Sequence, residues 1–360
     1  GRFTSPAMIE PNGMITLNGV EISDDELVEK LEQIEKACEE MLACGFRHPT
    51  SFEVMTAVAF LYFRNKADLA LIETGMGGRL DASNVVEKAK LCMITPIGMD
   101  HEAFLGHHLK DIAKEKAGIF RFGVPIVAAP QEEQVQVVLQ EEAALKQAPL
   151  YPIKASDVWI LKEGDVLQFL YQGQKYQSGM LGRHQAINAA MAIEAAKQLG
   201  EMGWEVTREN LVEGVLHAHW PGRFEVLRES PLLVLDGAHN AHGMRALNHA
   251  RKQIFTGDYR AIVGVLGEKE LGNEFIEILK DAKMIWTATP DNPRAMQAQA
   301  LSKRLFKLGI ENQAQESFEA LVDLVIDEPE PCLIFGSLYL IGPLGQALKR
   351  RLQEDSCSNR

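Results

Sequence analysis

Three polar side chains in the first third of the 360-residue chain stand at or just beyond the ends of short apolar runs, where open α/β sheets gather ligands. Glu73 closes Leu69-Ala70-Leu71-Ile72 and is followed by Thr74-Gly75-Met76-Gly77-Gly78-Arg79-Leu80-Asp81. A carboxylate there can hold a hard cation such as Mg²⁺, and the glycines let the backbone turn sharply against a ligand. An ion pair with Arg79 fits the same spacing. Asp100-His101 follows the run ending in Ile97-Gly98. An imidazole in that position can ligate a metal or shuttle a proton, or serve as an ordinary loop histidine. Lys116 shares one helical face with Leu109, Ile112, Ala113 and Ala117. Burial disfavours the ammonium, and a neutral amine can add CO₂ to give a carbamate, an anionic metal ligand. Snorkelling along the edge of the core is the commoner fate of such a lysine.

The second half of the chain offers another set. Leu232–Leu235 runs into Asp236-Gly237-Ala238-His239-Asn240, a strand meeting a glycine turn with Asp, His and Asn together, a pattern suited to a nucleotide. Arg223, in Trp220-Pro221-Gly222-Arg223, can reach phosphate or form a salt bridge between domains. Asn188 follows Gly182-Arg183-His184-Gln185-Ala186-Ile187 and can meet a ligand edge or simply face solvent from a helix. No GxxxxGK[ST] loop and no GxGxxG after a strand occurs in these residues, which disfavours a Rossmann dehydrogenase.

The elements that must position these groups are legible as alternating patterns. Ser23-Asp24-Asp25-Glu26 is a capping-box signal for a helix over 23–42, and a second helix is predicted over 51–64. Apolar runs at Asp68–Glu73, Leu91–Ile97 and Pro125–Ala129 alternate with helical stretches at His108–Ile119 and Glu132–Gln147. This rhythm predicts βαβ units and a parallel sheet. Residues 150–180 instead predict antiparallel strands turning at Gly164 and Gly173, with a helix from Arg183 to Leu199. Trp220–Arg223 punctuates the chain, and the domain boundary is placed there: residues 1–219 and 220–360. Beyond it, strands are predicted at Leu232–Leu235, Ala261–Val265, Met284–Ala288 and Cys332–Phe335.

Length predicts two domains. Net charge is −13 with a pI near 5.3, which argues against a general nucleic-acid binder, because phosphate contacts need clustered Lys and Arg. The five cysteines (Cys38, Cys44, Cys92, Cys332, Cys357) are odd in number and form no CxxC pair, which points to a reduced, cytoplasmic setting. No apolar run approaches a membrane span, and no signal peptide is visible.

Taken together, the segments resemble the folylpolyglutamate synthase/dihydrofolate synthase family of the Mur ligase superfamily. The resemblance rests on Thr4-Ser5-Pro6, Phe52-Glu53, ETGMGGRLDASN at 73–84, GMDHEAFLG at 98–106 and EKAGI at 115–119. GRHQAIN at 182–188, Trp220–Arg223, DGAHN at 236–240, Asn292-Pro293-Arg294 and GSLYL at 336–340 complete it. It implies a two-domain α/β fold, with a larger N-terminal ATPase-type domain and a smaller C-terminal Rossmann-like domain. It also implies a reaction: ATP phosphorylates a substrate carboxylate, and the amine of L-glutamate attacks the acyl phosphate. Under the resemblance, Glu73 and His101 are magnesium ligands and Lys116 is the carboxylated lysine, with potassium as a further cation. Asn188 and Asp236 hold ATP, Arg223 meets its phosphates, and His239 and Ser337 lie near phosphate and glutamate. Ser5 and Pro6, Pro49, Thr50, Ser51 and Phe52, and Leu80, Asp81 and Ala82 line the site for folate or dihydropteroate. A monomer with small-molecule partners, and neither nucleic acid nor membrane, is implied.

Two departures qualify the expectation. The family carries a GTNGKGS-type phosphate loop shortly before its TSP motif, and this chain begins with Gly1-Arg2-Phe3-Thr4-Ser5-Pro6. The segment is therefore expected to have been preceded by that loop, and the 360-residue piece to have little ligase activity alone. Ala7-Met8 and Pro11–Met14 also replace the family's usual continuation, leaving substrate choice less fixed than reaction type. The competing readings are a Mur-type amide ligase for another carboxylate and a non-catalytic form that binds pterin or nucleotide.

Overall fold

The computed structural model describes residues 1–267, 271–328 and 330–358, with the side chains of 355–358 outside the description. The chain forms two compact units, Gly1–Pro152 and Ile153–Arg360. The boundary expected near residue 220 thus falls inside the second unit. Residues 153–219 pack on the segment after Trp220, with Glu163 paired to His249 at 3.1 Å and Gly182 abutting Ala250.

In the first unit, Arg2–Phe3 pairs in parallel with Leu71–Ile72 and antiparallel with Ile15–Leu17, which in turn pairs with Val20–Glu21. Cys92–Ile94, Ile126–Ala128 and Leu150–Pro152 form a parallel sheet. Both predicted N-terminal helices are present, Asp24–Ala43 and Ser51–Phe63. Each begins with a complete capping box, from Ser23 with Glu26 and from Thr50 with Glu53, satisfying backbone donors that a helix start leaves unpaired. Phe3, Ile15, Val58 and Ala59 are fully buried in the core shared by the first sheet and its helices, and Ile112, Ala113, Ile126 and Val135 in that of the second. The strands are shorter than their apolar runs: Leu71–Ile72 covers only part of the expected 68–73.

The second unit opens with the antiparallel strands Val158–Lys162, Leu167–Tyr171 and Gln174–Ser178. Gln172 and Gly173 both have positive φ, 48° and 76°, as a two-residue type I′ hairpin requires. Helices Arg183–Glu201 and Arg208–Leu216 follow. A six-stranded sheet then runs in the order Glu225–Glu229, Leu232–Asp236, Cys332–Phe335, Arg260–Val263, Met284–Thr287, Gln313–Ala314. All neighbours are parallel except the first pair. The four predicted strands are the buried interior of this sheet, whereas the polar edge strand Glu225–Glu229 had no apolar run to reveal it. No described helix is long and apolar enough to cross a membrane.

Candidate active site

The first unit gathers its chemistry around the loop after Leu71–Ile72. Glu73 is tied to the neighbouring strand Arg2–Phe3 by its N–H donating to the Phe3 carbonyl, 2.9 Å, and its Oε2 accepts from the Ser5 N–H at 3.1 Å. Ser5 and Glu73 are thus held together across adjacent strand ends. Pro6, exposed, follows Ser5 through a cis peptide. Gly75 lies against the Phe52 ring, so closely that a Cβ would stand 2.6 Å from Cζ. Phe52 also meets Phe3, with ring centroids 5.9 Å apart. Pro49 and Thr50 enter the helix that carries Ser51 and Phe52, and Thr50 is its cap.

Gly78 and Gly118 let this loop seat on the end of helix Leu109–Ala117. A Cβ on Gly78 would lie 2.6 Å from the Glu115 carbonyl oxygen, and one on Gly118 would lie 2.5 Å from the Arg79 Cα. Arg79 binds Glu115 Oε1 through Nε and Nη2, at 3.1 and 2.9 Å. Asp81 ties the loop back on itself: Oδ2 accepts from the Met76 N–H at 2.9 Å, and Oδ1 accepts from the Ser83 N–H and hydroxyl. Leu80 projects with 79% exposure, and half-buried Ala82 begins the short helix that Asp81 caps.

Asp81 of this loop and Asp100, from the loop after Cys92–Ile94, both lie close enough for their charges to act on Lys116. Burial, first, moves the Lys116 ammonium below its ordinary value, and the charges of Asp100 and Asp81 oppose that shift. Asp100 also accepts from the His101 N–H at 2.9 Å. His101 is exposed and has φ 53°, ψ 35°. A histidine in this left-handed region carries a conformational cost of about 1–2 kcal/mol, a strain that clusters at functional sites. Asp81, Asp100, His101 and Lys116 are therefore one neighbourhood. Among the described residues, no three His, Cys, Asp or Glu side chains converge as a metal cage.

In the second unit, Asp236 ends its strand in register with Phe335 of the neighbouring parallel strand. Its carboxylate is buried and structural in its contacts: Oδ2 accepts from the Phe224 N–H at 2.8 Å and Oδ1 from the Ala238 N–H at 2.7 Å. Burial pushes Asp236 up to about 6, against the pull of those two donors and of Arg223. The first bond steadies Phe224 at φ 48°. The Gly237 N–H adds a bond to the Gly222 carbonyl at 2.8 Å. The Trp220–Arg223 turn is thus clasped to the Asp236–Asn240 turn, and Arg223 Nη1 lies 3.0 Å from where a Gly237 Cβ would stand.

Around this clasp, exposed His239 donates from Nδ1 to the Gly237 carbonyl at 2.8 Å, which fixes its tautomer. Asn240 caps helix Ala241–Ile254. Ser337 follows Gly336 (φ 111°) and is 2% exposed, its Oγ accepting from the Tyr339 N–H at 3.2 Å. Asn188 is exposed on its helix and donates to Gln185 Oε1 at 2.9 Å.

One group escaped the sequence reading. His184 feels His242, Arg223, Glu163 and His249, and burial, the largest influence, pushes it down to about 4. The available signals were His184 inside GRHQAIN and the seven-residue spacing of His242 and His249 on one helix face. Nothing local marked Glu163.

Comparison with known proteins decides the family. Residues 222–338 match the family model described as Mur ligase, glutamate ligase domain. The chain is 36% identical over 365 residues to the dihydrofolate synthase/folylpolyglutamate synthase of Bacillus subtilis (strain 168), covering 97% of this chain and 84% of that protein. It belongs to the dihydrofolate synthase/folylpolyglutamate synthase family. The folylpolyglutamate synthase of Lacticaseibacillus casei is 30% identical over 369 residues, covering 97% of this chain and 83% of that protein. The apo form of the L. casei enzyme matches in structure with TM-score 0.81 at 29% identity, covering 97% of this chain and 83% of that one. The Mycobacterium tuberculosis folylpolyglutamate synthase complexed with ADP and AMPPCP matches with TM-score 0.83 at 28% identity, covering 97% and 84%. The chain is accordingly a ligase of the Mur type, with the two-domain α/β fold of these structures.

Proposed function

We propose that this protein joins L-glutamate to a folate-type acid at the expense of ATP, with tetrahydrofolate or dihydropteroate as the acceptor. The γ-phosphoryl group of ATP moves to the acceptor's carboxylate, giving an acyl phosphate and ADP. The glutamate amine then attacks the acyl carbon, and inorganic phosphate leaves as the amide forms. Positioning and charge neutralisation are the protein's main tasks in such chemistry. The observation that carries the reading is the clasp that sets Arg223 against the Asp236–Gly237 turn at a strand's carboxyl end, inside the segment matched by the glutamate-ligase model. The relatives support it further, since one of the matched structures is an FPGS–AMPPCP–folate complex.

In this reading Arg223 meets the nucleotide phosphates. Asp236 acts by holding the turn, since both its oxygens already accept backbone N–H groups. Asn188 meets the nucleotide, and His239 and Ser337 lie near phosphate and glutamate. Ser5, Pro6, Pro49–Phe52 and Leu80–Ala82 line the acceptor pocket, which the Phe52–Gly75 packing supports. Residues 1–219 serve as the ATP-binding ligase part and 220–360 as the glutamate-ligase part. The unpaired thiols of Cys38, Cys44, Cys92 and Cys332 are consistent with a reduced cytoplasmic setting, and a monomer is the state this reading takes from the family resemblance.

Magnesium fits the donor chemistry of the first unit. Glu73 and His101 offer an oxygen and a nitrogen, and a sparse protein set suits an ion that keeps waters and phosphate oxygens. Lys116 would complete it as a carbamate, for which a lowered amine pKa is the precondition. The ion would neutralise phosphate oxygens, and potassium would be a further cation.

The test is ADP release by the protein and by a version extended N-terminally with a phosphate loop, each with ATP, magnesium, glutamate and either tetrahydrofolate or dihydropteroate. ADP that appears only when a pterin acid and glutamate are both present supports the reading, and the better acid names the activity. Turnover with a non-pterin acid instead would make the protein an amide ligase for another carboxylate.

A further inference from the structure

A second cleft in the Ile153–Arg360 unit shares no residue with the Arg223–Asp236 clasp. Its volume is about 710 Å³, within the range of roughly 300–1,000 Å³ typical of small-molecule sites. The hairpin Leu167–Ser178, the end of helix Arg183–Glu201 and the start of helix Arg208–Leu216 form its walls.

The charged side chains lining it are Lys197, Arg208 and Glu201, two cations against one carboxylate. Tyr176 is 3% exposed and lines the cleft. Its hydroxyl has no hydrogen-bond partner among the described residues, yet it is not one of the wholly enclosed unsatisfied atoms, so it opens on the cleft. A tyrosine this buried normally finds a partner for its hydroxyl. Arg208 lies close enough for its charge to act on that hydroxyl. It occupies the first position of its helix, where the macrodipole disfavours a cation, and it forms no ion pair among the described residues. Lys197 is the other cation of the cleft. Its ammonium bonds the amide oxygen of Gln172 and lies 5.9 Å from the Tyr171 ring centroid, both neutral partners. Trp204, 36% exposed, contributes a flat apolar wall. The Thr207–Asn210 capping box uses part of the donor set at the helix start, and the first-turn N–H groups of Arg208 and Glu209 still need acceptors.

We propose that this cleft binds a small planar aromatic anion, its ring against Trp204 and its carboxylate or phosphate on Arg208, the Tyr176 hydroxyl and the start of helix Arg208–Leu216. An aromatic face near a cation also gains cation–π attraction, which favours a ring over an aliphatic acid of the same charge. The site is separate in its residues from the ligase chemistry, so its ligand is a second one.

Isothermal calorimetry on the full chain tests this with three probes: naphthalene-2-carboxylate, the neutral 2-naphthol and inorganic phosphate. The carboxylate is expected to bind and the other two to bind at least about tenfold more weakly, the loss of one charge-assisted contact. Arg208→Gln and Tyr176→Phe, each checked for an unchanged melting temperature, are expected to weaken the carboxylate while leaving ADP release intact. Trp204→Leu is a second route should Tyr176→Phe perturb the hairpin. No heat from the carboxylate at millimolar concentration would overturn the proposal. So would equal binding of 2-naphthol, which would make the cleft merely apolar, or affinity unchanged in both Arg208→Gln and Trp204→Leu.

Discussion

At the scale of single residues, Lys116 and Arg223 are where the proposed chemistry is most exposed to test. Lys116 is held on the buried side of its helix with its ammonium disfavoured by burial and steadied by Asp100 and Asp81. Lys116→Met keeps the length and apolar stem while removing the amine. It is expected to lower kcat/KM for ADP release by about 10² or more, the scale seen when one transition-state charge partner is lost. Depleting bicarbonate should depress the native enzyme reversibly and leave the variant unaffected; an indifferent native enzyme would rule out the carbamate. Arg223→Lys keeps the charge but loses the planar fork that meets phosphate. Its KM for ATP should rise roughly tenfold, the worth of one charged hydrogen bond. An unchanged KM would move the phosphate contact elsewhere.

At the scale of elements, the first-unit site depends on a loop lying directly on a helix end. Gly118 is the tightest point, because a Cβ there would come within 2.4–2.5 Å of the Arg79 Cβ and Cα. Backbone cannot retreat as a side-chain tip can. Gly118→Ala is therefore expected to destabilise the protein by about 1–3 kcal/mol, as overpacking does, and to lower ADP release by shifting the Arg79–Asp81 segment. Urea unfolding and the ADP assay read the two effects. Thr50→Ala, which removes one capping box, should cost about 1 kcal/mol. These two positions differ in legibility. The capping box is spelled by a Thr and a Glu three residues apart, whereas the need for glycine at 118 arises only when Arg79 is brought against it from 39 positions away.

At the scale of the whole molecule, two titratable groups of the second unit that burial shifts act oppositely on acid stability. His184 is pushed down to about 4 from an ordinary 6.5. Between those values the unfolded chain binds a proton that the folded protein refuses, so this contribution, present above pH 6.5, is lost as pH falls toward 4. Its slope is up to about 1.4 kcal/mol per pH unit. Asp236 is raised to about 6 from 3.8, so the folded protein binds the extra proton there and stability rises as pH falls through that window. His184→Gln leaves Asp236 unopposed, so the variant's stability should rise relative to that of the native protein as pH falls from 6.5 to 4. A melting-temperature profile parallel to the native one would show that His184 titrates normally.

Local pattern in the chain was enough for the alternation of strands and helices and the parallel character of the main sheet, and the family resemblance added the ligase chemistry. Each of these is carried by signals a few residues long, such as the buried run Cys332–Phe335 or the Glu73–Asn84 segment. The sequence also named Glu73, His101, Lys116, Arg223 and Asp236. How these groups are held is set by packing between distant segments. Arg79 turned to Glu115, Asp236 to the backbone of Phe224 and Ala238, and residues 153–219 to the unit formed with 220–360. The His184–Glu163–His249 group and the Tyr176–Arg208 cleft belong to the same class. Hydrogen bonds and burial between segments far apart in the chain leave no local period or composition to read, because they exist only once packing has brought the segments together.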